Sequence, residues 1–155
     1  VYFTVYPWRE KNPLVLEEQG EVLEVGGISI ASRFLEKARV AERQKKAARE
    51  ILYNRFLMEP KIETRYVETS CPGSVIVLWV RTENTVLGSD AIGRVGTRSE
   101  TLGQTAAKEL IEDFESGATL DRHLSDQLLG HMALAEGKST VTVPRLTNHA
   151  HHLSL

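Results

Sequence analysis

The sequence contains one cysteine, Cys71, and that scarcity excludes two kinds of site. A single thiol cannot form an intramolecular disulfide and leaves no thiolate cluster for zinc, so a reducing compartment, the cytoplasm, is the expected location. No uninterrupted apolar run approaches the roughly 18 residues that a bilayer-spanning helix needs. Residues 1–8 also lack the basic start and the small-residue cleavage site of a signal peptide. We therefore expect no membrane partner.

The sequence also lacks an excess of charge of either sign. Its 19 Lys and Arg nearly balance its 21 Asp and Glu, which leaves a formal charge of −2. This balance excludes a globally basic nucleic-acid coat protein, so any anion site must be local. The 41% hydrophobic and 26% charged residues are typical of a globular protein and exclude disorder over the whole length. A chain of 155 residues fits one medium domain or two small ones.

The apolar pattern over residues 20–117 predicts a strand, a helix, three strands and a second helix. The predicted elements are strands at 21–32, 61–68, 75–80 and 85–92, a helix at 34–56 with Ser32 as its N-cap, and a helix from the capping box at 97–100 to Gly117. Residues 75–80 are apolar at every position, which predicts a central strand covered on both faces. These elements can close on themselves as a small open-faced α+β sandwich.

The flanks, residues 1–18 and 119–155, have too few elements to form a core of their own. Their pattern predicts a strand at the start, a helix from Thr119 or Asp121 to Gly137, a strand at 139–143 and the beginning of a last helix capped by Thr147 or Asn148. We therefore expect both flanks to belong to a larger body in which 20–117 is an inserted domain. The missing initiator methionine and the abrupt end favour a fragment of a longer protein.

The densest group of polar and titratable residues lies at 121–127. On a helix, His123, Asp126 and Gln127 share one face, because residues three and four apart are neighbours. Each offers a hydrogen-bond donor or acceptor, so the three side chains can converge on one ligand. A solvated helix face without a ligand is the alternative.

A second group consists of His149, His151 and His152. A neutral imidazole is a competent nucleophile toward phosphorus near pH 7, because its lone pair is available without the deprotonation that serine requires. Three such histidines could instead bind a transition metal, or be terminal residues without a role.

The predicted helix at 34–56 has a basic outward face. This face raises the hypothesis of an RNA-binding module, because clustered cations attract phosphates. A basic helix face is more often merely solvated, and without interleaved aromatic residues the helix offers no base-stacking surface. The cations are Lys37, Arg39, Arg43, Lys45, Lys46 and Arg49.

Several short motifs stand out along the chain: residues 88–93, Glu100 with Gly103 and 106–107, 123–129, 132–135 with Gly137, and 146–149. They resemble the C-terminal half of the RNA 3′-terminal phosphate cyclase family. The most specific are the Asp-Gln-Leu helix with Met-Ala-Leu-Ala and the later Thr-x-His, and the glycine-rich strand supports them. The resemblance covers the whole chain and is weakest at 33–70. It implies that the insert lies in a larger repeated α/β body, mostly absent from this chain.

The resemblance also implies an ATP-dependent enzyme of the ligase class. In this family a histidine attacks the α-phosphorus of ATP and holds AMP as a phosphoramidate, AMP passes to an RNA 3′-terminal phosphate, and the 2′-hydroxyl displaces it to leave a 2′,3′-cyclic phosphate. Such a relay gives the terminal phosphate a leaving group. A divalent cation, Mg²⁺ or Mn²⁺, would offset the triphosphate charge.

Carried over residue by residue, the resemblance makes His149 the nucleophile and places Asp126 and Gln127 in the nucleotide site. His123 stands where some members have an aromatic residue that stacks near the adenylate. His151 and His152 depart from the family pattern, and no residue is expected to bind metal. Family members are more than twice as long, so the N-terminal half is the expected partner and the isolated chain should be weak or inactive. A non-catalytic cyclase-like ribosome-assembly protein is the alternative, although such relatives lack the histidine that is present here.

Overall fold

The computed structural model describes Thr4, Tyr6 and residues 10–145. Most of the predicted opening strand and all of the predicted last helix lie outside the described residues. In chain order the elements are β1 (Val15–Leu16), β2 (Val22–Ser32), α1 (Val40–Phe56), β3 (Lys61–Val67), β4 (Ser74–Thr82), β5 (Val86–Ile92), α2 (Ser99–Glu115), α3 (Leu124–Ala133) and β6 (Thr140–Val141).

Four strands form a mixed sheet in the order β3-β2-β4-β5. β2 is parallel to β3 and antiparallel to β4, which is antiparallel to β5. α1 and α2 pack together on one face of this sheet and enclose the main core. The architecture confirms the predicted α+β open-faced sandwich. The buried core residues are Val25, Ala48, Leu52, Ile62, Ile76, Leu78, Val80, Leu87, Ala106, Ala107 and Leu110.

The prediction that residues 75–80 are covered on both faces is wrong. β4 lies inside the sheet, and Ile76 and Leu78 are fully buried beneath the helices. On the other face Val77 is 37% exposed and Trp79 is half-buried. An apolar run favours two covered faces, but the described helices pack on only one of them.

The first helix begins later than predicted. A short 3₁₀ turn (Arg33–Leu35) precedes α1, and Arg39 adopts left-handed dihedrals (φ 51°, ψ 42°) that interrupt the helical path. Ser32 does not cap a helix, because its Oγ accepts a hydrogen bond from the Gly73 amide at 3.3 Å. The start of α1 is fixed instead by Tyr66, whose Oη accepts a hydrogen bond from the Ala41 amide at 3.3 Å.

α1 and α2 approach each other closely at Gly103. A Cβ at this position would overlap the carbonyl oxygen of Gln44, so only glycine permits the spacing. Gln44 is fully buried, accepts a hydrogen bond from Ser29 Oγ at 2.7 Å and donates one to Ser74 Oγ at 3.0 Å. Polar groups buried in this interface are therefore satisfied by side chains of the sheet.

The two flanks of the sandwich contact each other. β1 pairs in parallel with β6, with Val15 opposite Thr140. Thr119 connects them, because its Oγ1 donates to the Leu16 carbonyl at 2.9 Å and its amide donates to the Thr142 carbonyl at 2.8 Å. β6 and α3 are both shorter than predicted. The division into an insert at 20–117 and a main body formed by 1–18 and 119–155 stays a prediction.

Candidate functional site

The start of α3 is held by Asp121, which sequence reasoning treated only as one possible helix start. Its Oδ1 accepts hydrogen bonds from the amides of His123 (3.0 Å) and Leu124 (2.8 Å), and its Oδ2 accepts one from the Gly88 amide (3.2 Å). The first amides of a helix have no intrahelical partner, so this buried carboxylate satisfies two of them and ties α3 to β5.

The neighbouring Arg122 joins α3 to the end of α2. Its Nη2 and Nε donate to Asp113 Oδ1 at 2.6 and 2.9 Å, and its amide donates to Asp113 Oδ2 at 3.0 Å. Nη2 also reaches Glu112 and the Glu109 carbonyl. Hydrogen bonding to Asp113 raises the pKa of Arg122, and burial opposes this shift. The segment before α3 is thus held to β5 by Asp121 and to α2 by Arg122.

The three predicted nucleotide-site residues follow this anchored segment. His123 directly precedes α3 with helical dihedrals (φ −90°, ψ −44°), so His123, Asp126 and Gln127 keep the spacing that places them on one side of the helix. His123 and Gln127 are exposed and Asp126 is half-buried, whereas Ser125 packs inward. The His123 and Gln127 side chains are therefore open to solvent, and the role of all three residues stays a prediction.

The predicted nucleophile, His149, lies outside the described residues, as do His151 and His152. The last described strand, β6, ends eight residues before His149 in the sequence. The assignment of His149 as the nucleophile therefore stays a prediction.

Residues 10–145 contain neither a cluster of metal-binding side chains nor a membrane-spanning helix. No group of three or more His, Cys, Asp or Glu residues in that range could hold a metal ion. No helix there combines the length and the hydropathy needed to cross a membrane.

The basic face of α1 is partly neutralised by ion pairs. Arg43 forms a two-pronged pair with Glu100 (2.7 and 2.9 Å), and Arg49 forms one with Glu59 (2.5 and 2.8 Å). The hydrogen bonds from Arg43 lower the pKa of Glu100 to about 2. The sequence had shown the cations of this face but not which of them were paired.

Comparison with known proteins identifies the class. Residues 17–115 match the family described as RNA 3′-terminal phosphate cyclase (RTC), insert domain, and this range contains the four-stranded sheet with both of its helices. The chain therefore belongs to the RNA 3′-terminal phosphate cyclase family, which confirms the resemblance seen in the motifs.

Individual relatives extend the match beyond the insert. An RNA 3′-terminal phosphate cyclase of Hyperthermus butylicus is 42% identical over 145 residues, covering 90% of this chain and 40% of the relative. One from Thermococcus kodakarensis is 42% identical over 145 residues, covering 94% and 41%. One from Ignicoccus hospitalis is 41% identical over 138 residues, covering 86% and 38%. The chain thus spans about 40% of the length of these curated relatives.

Proposed function

We propose that this chain is part of an enzyme that converts an RNA 3′-terminal phosphate to a 2′,3′-cyclic phosphate at the expense of ATP. The observation that carries the proposal is the 42% identity, over 94% of the chain, to a relative named RNA 3′-terminal phosphate cyclase. The sequence motif Thr147-Asn148-His149 adds the nucleophile that such chemistry needs.

In the proposed reaction the neutral imidazole of His149 attacks the α-phosphorus of ATP, forms a P–N bond and expels pyrophosphate. An oxygen of the RNA 3′-phosphate then takes the adenylyl group from the histidine. The adjacent 2′-hydroxyl attacks the activated phosphorus and displaces AMP, which closes the cyclic phosphate. The histidine is regenerated at the second step.

Asp126 and Gln127 on α3, with His123 directly before it, are proposed to bind the nucleotide. Gln127 offers an amide that both donates and accepts, Asp126 offers a carboxylate, and the His123 ring can stack. The anchoring of α3 by Asp121 and Arg122 supports this role, because a fixed helix can hold these groups in one geometry.

The divalent cation, Mg²⁺ or Mn²⁺, belongs to the proposal as a partner of the triphosphate. The described residues contain no group of three or more His, Cys, Asp or Glu side chains that could hold a metal ion. Its expected contribution is to offset charge on the phosphates of ATP.

The N-terminal half of the same protein and an RNA ending in a 3′-phosphate are the proposed partners, and the cytoplasm is the proposed location. Because the chain spans about 40% of its relatives' length, we expect it to be weak or inactive alone. A non-catalytic cyclase-like role in ribosome assembly is less favoured, because His149 is present.

The test is conversion of a 3′-phosphorylated oligoribonucleotide by the full-length parent. We expect a product that resists phosphatase, forms only with ATP and leaves AMP and pyrophosphate. Full-length protein that leaves the 3′-phosphate unchanged with ATP and either cation would contradict the enzymatic function and favour the ribosome-assembly alternative.

A further inference from the structure

A basic groove lies between α1 and the edge strand β3, away from α3. It is an open cavity of about 630 Å³. Thr64 of β3 forms one wall, and the other wall comes from α1 and the turn before it. The lining residues are Lys37, Ala38, Arg39, Glu42, Arg43, Lys45, Lys46, Arg49 and Thr64.

The break in the helix at Arg39 helps to build this groove. Left-handed dihedrals are costly for a residue with a side chain, and they persist here at the junction between the turn and α1. As a result Lys37 and Arg39 line the same cavity as Lys45 and Arg49, which lie further along α1. If α1 had continued back to residue 34, Lys37 and Arg39 would lie at different positions around the helix axis.

The groove keeps a positive charge after its ion pairs are counted. Among its cations, Arg43 and Arg49 are paired with glutamates that do not line it. No salt bridge within the described part of the chain engages the remaining four. These are Lys37, Arg39, Lys45 and Lys46.

Glu42 is the single carboxylate among the lining residues. It accepts a hydrogen bond from Tyr66 Oη at 2.6 Å, and this bond lowers the pKa of Glu42. Its single negative charge interacts with Arg39 and Lys45, and one negative charge offsets only part of the charge of the four cations.

The chemistry of the lining residues favours one class of ligand. It contains flexible ammonium and guanidinium groups, no aromatic ring, and Thr64 as its only hydroxyl within the described residues. Such a surface contacts phosphates without reading bases. From Val40 to Arg49 the helix rises about 14 Å, roughly four nucleotide rises of a stacked strand.

We propose that this groove binds the phosphodiester backbone of single-stranded RNA independently of its sequence. The choice of RNA rests on the proposed function, whereas the affinity for a polyanion rests on the groove alone. By holding the strand, the groove would raise the local concentration of RNA substrate for the main body.

Binding of a fluorescein-labelled 12-nucleotide RNA to this chain tests the proposal by fluorescence anisotropy between 50 and 300 mM salt. The triple variant Lys37→Gln, Lys45→Gln, Lys46→Gln should bind at least tenfold more weakly at 100 mM salt. The slope of log affinity against log salt should fall by about 2, as expected for three lost contacts with a single strand. The change should be the same for different RNA sequences.

The matched control removes three exposed cations elsewhere: Arg65→Gln, Arg94→Gln, Lys108→Gln. Its affinity should change less than twofold, with circular dichroism showing that both variants fold. Equal weakening in both variants, or no measurable RNA affinity in the original chain, would overturn the proposal.

A competition assay separates RNA from an acidic protein partner. Unlabelled RNA should displace the probe, whereas poly-glutamate at equal charge should compete at least tenfold less well; equal competition would contradict RNA as the ligand. In the full-length parent, the groove variant should still form the adenylylated protein and lose affinity only for RNA, which distinguishes failure of the groove from failure of the proposed function.

Discussion

Arg122 and Asp113 form an ion pair that is almost removed from solvent: their side chains are 13% and 1% exposed, and Arg122 Nη2 lies 2.6 Å from Asp113 Oδ1. This pair connects the end of α2, which belongs to the sandwich, with the segment that leads into α3. The Asp113 carboxylate accepts hydrogen bonds from both the guanidinium and the backbone amide of Arg122. The position of the candidate nucleotide-binding helix therefore depends on an interaction outside the site.

Replacing Arg122 by methionine should lower the free energy of unfolding by about 3 kcal/mol, because it leaves the Asp113 carboxylate buried without its partner. Urea denaturation followed by circular dichroism measures this. The double variant Arg122→Met, Asp113→Leu should recover part of the loss. A single variant within about 0.5 kcal/mol of the original chain would show that the pair contributes little.

Gly103→Ala should destabilise the chain by about 2 kcal/mol or more, because the new methyl group would overlap the Gln44 carbonyl oxygen and force α1 and α2 apart. Gly130→Ala is the matched control, because that helical glycine has open space at its Cβ position. Alanine there should be neutral or stabilising by up to about 1 kcal/mol. Thermal unfolding of both variants distinguishes the two sites, and equal melting temperatures would contradict the close packing.

The Arg43–Glu100 pair predicts an acid-sensitive contribution to stability. The pKa of Glu100 is lowered from 4.5 to about 2, chiefly by hydrogen bonds from Arg43. Because the folded pKa lies below the unfolded one, the contribution is present above pH 4.5 and is lost as the pH falls toward 2. Carboxyl ¹³C NMR should show Glu100 titrating near 2 in the original chain and at a higher pH in Arg43→Gln, although its backbone hydrogen bond and Arg98 still lower the pKa of Glu100. An unchanged titration in the variant would assign the shift to another cause.

Asp126→Ala in the full-length parent should impair adenylylation more than it lowers the melting temperature, because we expect this side chain to face the nucleotide. Gln127→Ala should do the same. If loss of stability accounts for the whole effect, the two residues are structural instead.

Much of the sandwich could be predicted from local pattern. The strand at 61–68 and the helix predicted to end at Gly117 occur close to their predicted bounds, because alternation and helical periodicity are encoded in neighbouring residues. The predicted capping box is wrong, since α2 begins at Ser99 with Arg98 as its N-cap and without a side-chain capping hydrogen bond. The late start of α1 could not be predicted, because it depends on Tyr66, which contacts Ala41 across the fold. The exposure of one face of β4 depends on where the helices pack, so it could not be predicted from the apolar residues of the strand.

Less of the candidate site could be predicted from the sequence. Helical spacing predicted that His123, Asp126 and Gln127 share one side of a helix. Asp121 was predicted as one of two possible helix starts. Its hydrogen bond from Gly88 and the pairing of Arg122 with Asp113 could not be predicted, because Gly88 and Asp113 belong to other elements, β5 and α2. An aspartate just before a predicted helix is the sequence signal that indicates the helix-start role of Asp121.

Transfer of AMP to His149 is the central claim, and labelling of the full-length parent with ATP radioactive at the α-phosphate tests it most directly. The original protein and His151→Asn should acquire a label that is labile in acid and stable in base, as a phosphoramidate is. His149→Asn, folded by circular dichroism, should acquire none. Labelling of His149→Asn at the original level, or loss of the label in His151→Asn instead, would contradict the assignment of His149 as the nucleophile.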